Sequence, residues 1–179
     1  MEFIETALPG VILIKPDIFG DDRGYFVETW HGKKYPKNGL DVSFIQDNES
    51  SSKQGVLRGL HFQLNNPQGK LVRVVSGEIL DVAVDVRRGS PNFGKWVGAT
   101  LSGDNKHQLY IPPGFAHGFY TISDAVVAYK CTELYDGPSD SGVMWNDPDI
   151  GVEWPNFDPI LSEKDKNHHF LKDAVLPEF

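Results

Sequence analysis

The 18 glycines and 12 prolines are spread along the whole 179-residue chain and cut it into apolar runs too short for long helices. Each interruption favours a turn, since glycine supplies positive φ and proline fixes φ while removing a donor. What lies between reads as strand. Residues 78–86 are the clearest case: Leu80, Val82, Val84 and Val86 share one face, Asp81, Ala83 and Asp85 the other. Residues 125–133 alternate likewise, grouping Val127, Tyr129, Cys131 and Glu133, so Lys130 faces away from Tyr129. Further strands are expected at 11–15, 25–30, 42–46, 57–63, 70–75, 96–101, 108–111 and 115–122. Residues 20–24 read as a turn, 47–54 as a polar segment, and Ser76-Gly77 as a hairpin turn between two strands. Residues 32–40 hold a short helix or a loop, and a short helix is expected near 162–166.

Many short strands with sparse helix predict an all-β sandwich or barrel. Such a fold must blunt its strand edges, which favours pairing with a second subunit. A doubly wound α/β fold would need long helices between strands. Neither a G-x-G-x-x-G unit nor a G-x-x-x-x-G-K-[ST] loop occurs. The length suits one domain with a real core, and 40% apolar with 23% charged residues is a globular balance. A net charge of −8 argues against nonspecific nucleic-acid binding and against an anionic membrane surface. The single cysteine, Cys131, excludes an internal disulfide framework and a Cys-rich metal site. With no basic, apolar leader and no run long enough to cross a bilayer, a cytoplasmic protein is expected.

Against this apolar frame, one stretch carries chemistry: Gly55-Val56-Leu57-Arg58-Gly59-Leu60-His61-Phe62-Gln63. A histidine titrates near neutrality and moves protons in either direction, which makes His61 the candidate general base. Strict alternation sets Arg58 and His61 on opposite faces, unless Gly59 opens a bulge. His117 follows the rigid Pro112-Pro113-Gly114 turn and suits a substrate hydrogen bond, a metal contact or a structural role equally. Tyr129 is a core tyrosine or a proton donor. Asp165 matters if the tail folds over the pocket and orients His61, as carboxylates orient catalytic imidazoles. Arg23, Arg58, Lys70, Arg73 and Arg87 supply cations suited to a diphosphate, with Arg87-Arg88 the pair expected on solvated surface. His168-His169 falls in a polar tail expected at the surface, and no H-E-x-x-H motif is present, so no metal is expected.

Taken together, Asp21-Asp22-Arg23-Gly24-Tyr25-Phe26, Gln46-Asp47-Asn48, Val56 to Gln63, Gln68-Gly69-Lys70, Pro113 to Phe119 and Tyr129-Lys130 closely resemble the dTDP-4-dehydrorhamnose 3,5-epimerases. Trp145-Asn146-Asp147-Pro148 and Gly151-Val152-Glu153-Trp154-Pro155 extend the resemblance over nearly the whole chain. The resemblance implies a double-stranded β-helix, a cupin-like jelly roll, formed by residues 1–179 as one domain. It also implies a homodimer with an exchanged N-terminal strand. The implied reaction converts dTDP-4-dehydro-6-deoxy-D-glucose to dTDP-4-dehydro-L-rhamnose without metal or other cofactor. By the same resemblance His61 is the base, Asp165 its carboxylate, Tyr129 the opposite-face acid and Lys70 the enolate's cation. His117 shares the pocket, and Arg58 binds diphosphate. Arg23, Phe26, Gln46 and Asn48 contact nucleotide or substrate, some in the partner's site. One departure is Glu133-Leu134-Tyr135, where some relatives carry adjacent tyrosines and this chain keeps only the second. Enzymes that invert only C3 or only C5, and a noncatalytic sugar-nucleotide-binding module, are the alternatives.

Overall fold

The computed structural model describes residues 1–156 and 158–178. The chain runs β1 (Glu2–Glu5), β2 (Ile12–Lys15), β3 (Ile18–Asp21), β4 (Gly24–Val27), α1 (Lys34–Lys37), β5 (Gln46–Ser52), β6 (Leu57–Gln63) and β7 (Lys70–Ser76). It continues through β8 (Glu78–Asp85), β9 (Trp96–Ser102), β10 (Gln108–Ile111), β11 (Phe115–Thr121), β12 (Ala125–Cys131) and β13 (Asp140–Gly142). Two antiparallel sheets form a cupin-like jelly roll, ordered β1-β2-β10-β7-β12-β5 and β13-β6-β11-β8-β9. β3 and β4 form a separate two-stranded hairpin.

Both faces of each sheet are used, so three apolar clusters form. The inner one joins Val72, Val74, Leu109 and Val127 of the first sheet to Ile79, Ala83, Phe115 and Phe119 of the second. On the outer face of the five-stranded sheet, Leu57, Leu60, Phe62, Val82 and Val84 are covered by Trp145, Trp154 and Leu171 of the C-terminal region. Outside the six-stranded sheet, Ile14, Leu71 and Tyr110 are covered by Tyr35 and Leu40. Within this cover, Tyr35 is fully buried and its hydroxyl donates to Gln108 Oε1 at 2.9 Å. Alternating strands that are apolar on both faces give this layered arrangement, with the N- and C-terminal regions closing opposite sides.

Three expectations change. Of the segment 42–46, only Gln46 is in a strand: Val42 and Phe44 pack with Trp30 in the N-terminal cover, with Trp30 and Phe44 edge-to-face at 4.7 Å. The strand is the polar segment that follows. β5 pairs with β12 from Gln46↔Cys131 to Ser52↔Ala125, its exposed Asp47 and Glu49 guarding the sheet edge. Ser76-Gly77 is not a hairpin turn but a corner, since β7 and β8 belong to different sheets. Gly77 has φ +80°, and a Cβ there would lie 2.0 Å from the Asp124 carbonyl, so only glycine turns this corner.

Candidate active site

Gly59 answers the question of facing. On β11, His117 opposes His61 and Phe119 opposes Arg58, so Gly59 and Leu60 of β6 stand against Gly118 alone. This is a bulge. Leu57, Leu60 and Phe62 all enter the outer cluster, leaving Arg58 and His61 to share the other side. Gly59 has φ +125°, and a Cβ there would sit 2.5 Å from Gly118 Cα. The glycine is thus required both by its backbone angle and by the close approach of β11.

His61, on the five-stranded sheet, lines a hollow of about 330 Å³ with Gln46, Asn48, Lys70, Tyr129 and Asp140. Lys70 and Tyr129 come from the other sheet, where β7 and β12 are neighbours and Lys70 is paired with Cys131. The hollow is therefore walled by two sheets, with an imidazole on one and a phenol on the other. Gln46 Nε2 donates to Asn48 Oδ1 at 2.9 Å, and Gln46 Oε1 accepts from the Tyr135 backbone N–H at 2.8 Å. Tyr135 Oη donates to Asp140 Oδ2 at 2.9 Å, and Lys164 pairs with the same oxygen at 2.5 Å.

Asp165 begins a 3-10 turn, Asp165–Asn167, and its buried carboxylate hydrogen-bonds His61 Nε2. Ser162 Oγ donates to Asp165 Oδ2 at 2.8 Å and accepts the Asp165 backbone N–H at 3.1 Å. The carboxylate is held from behind while its other oxygen faces the imidazole. Burial alone would raise the Asp165 carboxyl, but the imidazoles of His168 and His61 and the Ser162 hydroxyl outweigh it, holding the group ionised. Burial lowers the His61 pKa against the pull of Asp165, with Lys70 and Lys164 adding to the lowering. The imidazole is neutral at neutral pH and Nδ1, the nitrogen not engaged by Asp165, is free to take a proton.

Burial also lowers Lys70, opposed by Cys131, Asp140 and Asp81, so its ammonium gives up a proton more readily than a surface lysine. Burial raises Tyr129, with Cys131 and Asp140 adding and Arg58 opposing, which keeps the phenol protonated. A neutral base and a protonated acid thus face one hollow with an ammonium beside it. That set can remove a proton next to a carbonyl, hold the enolate and return a proton from the other side.

Among the other expected site residues, His117 is buried, with Nε2 bound to Asp81 Oδ1 at 2.7 Å. Arg58 stays near His61 but is tethered to β5, donating through Nε to Ser52 Oγ at 2.9 Å. Arg23 and Phe26 lie elsewhere, on the β3–β4 hairpin, where Arg23 pairs with Asp21 at 2.5 Å. Arg87 is not simple solvated surface: it pairs with the fully buried Asp85 carboxylate at 2.7 Å and lies over the Phe115 ring. His168 is likewise not a surface residue, packing beside Asp165 with its Nε2 3.7 Å from Oδ1. Sequence reasoning did not single out Asp81 or Asp140. The period-two pattern of β8 does set Asp81 on the inner face, whereas nothing in the sequence brings Asp140 to Lys164.

Fold and hollow together define an epimerase of the cupin-like jelly-roll class. The family model for dTDP-4-dehydrorhamnose 3,5-epimerase matches residues 5–173. The enzyme of that name from Methanothermobacter thermautotrophicus is 55% identical over 96% of this chain and 95% of its own. The crystal structure of dTDP-6-deoxy-D-glucose-3,5-epimerase from Legionella pneumophila Philadelphia 1, in complex with dTDP-4-keto-L-rhamnose, superposes with a TM-score of 0.96. It is 46% identical, over 99% of this chain and 98% of that one. The Bacillus anthracis enzyme, with TDP and PPi bound, has a TM-score of 0.89 and 45% identity over 99% of each chain. The chain belongs to the dTDP-4-dehydrorhamnose 3,5-epimerase family. Among the described residues, no helix is long and apolar enough to cross a membrane.

Proposed function

We propose that residues 1–179 act as one epimerase domain, converting dTDP-4-dehydro-6-deoxy-D-glucose to dTDP-4-dehydro-L-rhamnose with His61, Lys70 and Tyr129 as the working groups. The C4 ketone acidifies the protons on C3 and C5, because either carbanion is an enolate. His61 Nδ1 removes the proton, Asp165 stabilises the imidazolium through Nε2, and Lys70 holds the enolate oxygen. Tyr129 delivers a proton to the opposite face, and inversion follows. Carbon oxidation state is unchanged overall, so the chemistry calls for no redox cofactor. The observation that carries this assignment is the placement of His61, bonded to Asp165, on one sheet and Tyr129 with Lys70 on the other, around one hollow.

Gln46 and Asn48 line the hollow where they can contact the sugar nucleotide, Arg58 offers a guanidinium to its diphosphate, and His117 backs the pocket. Arg23 and Phe26 serve a second subunit in a homodimer that exchanges N-terminal segments. Their hairpin exposes Phe19, Tyr25 and Phe26 at 60%, 59% and 63%. A free two-stranded ribbon carrying three exposed aromatics is marginal in water, and a partner's surface would cover them.

Reduction trapping of the product tests the reaction: wild type is expected to give the L-rhamno sugar and His61→Ala to give none. Mixing inactive His61→Ala with Arg23→Ala subunits tests the exchange. Mixed dimers pair one intact hollow with one intact arm and should regain activity. A mixture as inactive as its components contradicts the shared site.

A further inference from the structure

Behind the base lies a set of donors that the proton transfer does not use. His61, Asp165 and His168 each offer one ligand atom, all within 4.8 Å of one another. Two are imidazole nitrogens and one is a carboxylate oxygen. The His168 side chain is only 10% exposed, and its Nε2 has no hydrogen-bond partner among the described residues. A buried imidazole nitrogen without a partner has lost its hydration with nothing in return, and a ligand bound there would restore a contact. It points to the same Asp165 oxygen that meets His61, at 3.7 Å.

We propose that His61, Asp165 and His168 form an inhibitory binding site for Zn²⁺. A zinc ion with N and O ligands at about 2.0–2.2 Å in a tetrahedron separates its ligand atoms by roughly 3.3 Å. The His168–Asp165 spacing is close to that value, and the His61–Asp165 hydrogen bond must open to admit the ion. Ser162 already holds the second carboxylate oxygen, the kind of outer contact that orients a metal-binding carboxylate. A further hollow of about 260 Å³, lined by Arg58, His61, Leu161 and Asp165, gives the ion and a water ligand a way in. Two imidazoles and one carboxylate suit zinc, whereas magnesium and calcium favour oxygen donors.

Inhibition follows from the tautomer. In the resting pair, His61 carries its proton on Nε2, toward the ionised Asp165, which leaves Nδ1, the atom assigned as the base, unprotonated. A neutral imidazole that ligates zinc through Nε2 carries its proton on Nδ1 instead. No proton enters or leaves, yet the nitrogen facing the substrate can no longer accept one. Inhibition rests on the assignment of His61 as base; occupancy of the site does not.

Equilibrium dialysis of the purified protein against ZnCl₂, alongside epimerisation rates at each zinc concentration, tests both parts. Wild type is expected to bind zinc, to lose activity as the site fills and to recover it with EDTA, while MgCl₂ has no effect. His168→Ala should bind at this site more than about tenfold more weakly, and the activity it retains should resist zinc inhibition. His168→Asn, closer in size and polarity, should behave the same way and guards against a folding defect in the alanine variant. Equal zinc affinity in wild type and both variants overturns the site, whether or not the protein epimerises. Zinc bound through His168 with full activity retained overturns the inhibition.

Discussion

The Asp165 carboxylate meets the His61 imidazole across 104 residues of chain and hydrogen-bonds its Nε2. That contact exists because the C-terminal region packs over the outer face of the five-stranded sheet, through Trp145, Trp154 and Leu171. The apolar cover and the orientation of the base are therefore one structural event.

The base must be neutral to act, and burial sets its pKa below the ordinary 6.5. The epimerisation rate constant kcat/KM is expected to hold through neutral pH and to fall only as pH drops through a value below 6.5. Asp165 favours the protonated imidazole, so its removal lowers the His61 pKa further. Asp165→Asn should shift the acid limb to lower pH while reducing kcat by about 10²-fold or more. Parallel pH–rate profiles of the two proteins check both the sign and the loss.

Tyr129 stands on the opposite sheet from His61, so its loss should separate two events that wild type couples. In Tyr129→Phe, His61 still removes and returns the substrate proton on its own face. Deuterium exchange should persist, while inversion slows by about 10²–10⁴-fold. Exchange and inversion falling together would give Tyr129 a different role.

Lys70 is asked only to hold charge that appears in the transition state. Lys70→Met keeps the length and removes the donor, and should lower kcat by about 10²–10³-fold with a smaller change in KM. Steady-state kinetics at saturating substrate provide the measurement.

Gly59→Ala tests the bulge that turns Arg58 and His61 to one side. The φ of +125° alone costs a side chain about 1–3 kcal/mol, and the new Cβ would meet Gly118 Cα at 2.5 Å. Denaturant unfolding should show at least that loss.

Much of the jelly roll was legible in the period-two patterns of β8, whose two faces enter the outer and inner clusters, and of β12, whose Val127 face enters the inner one. β5 was not, because an edge strand with Asp47 and Glu49 outward carries no apolar alternation. Val42 and Phe44 do carry it, but they pack as cover rather than in a ladder. In the hollow, His61, Lys70 and Tyr129 stood out as polar groups on apolar strands. His168 did not, because nothing local distinguishes a surface histidine from one folded back against a carboxylate 3 residues earlier.

The central claim is proton transfer beside the C4 ketone by opposed groups. Proton NMR of dTDP-4-dehydro-6-deoxy-D-glucose with the wild-type protein in D₂O tests it most directly. Deuterium entering at both C3 and C5, with the L-rhamno product recovered after reduction, is the predicted result. Folded protein that leaves both positions fully protonated in intact substrate would contradict the account.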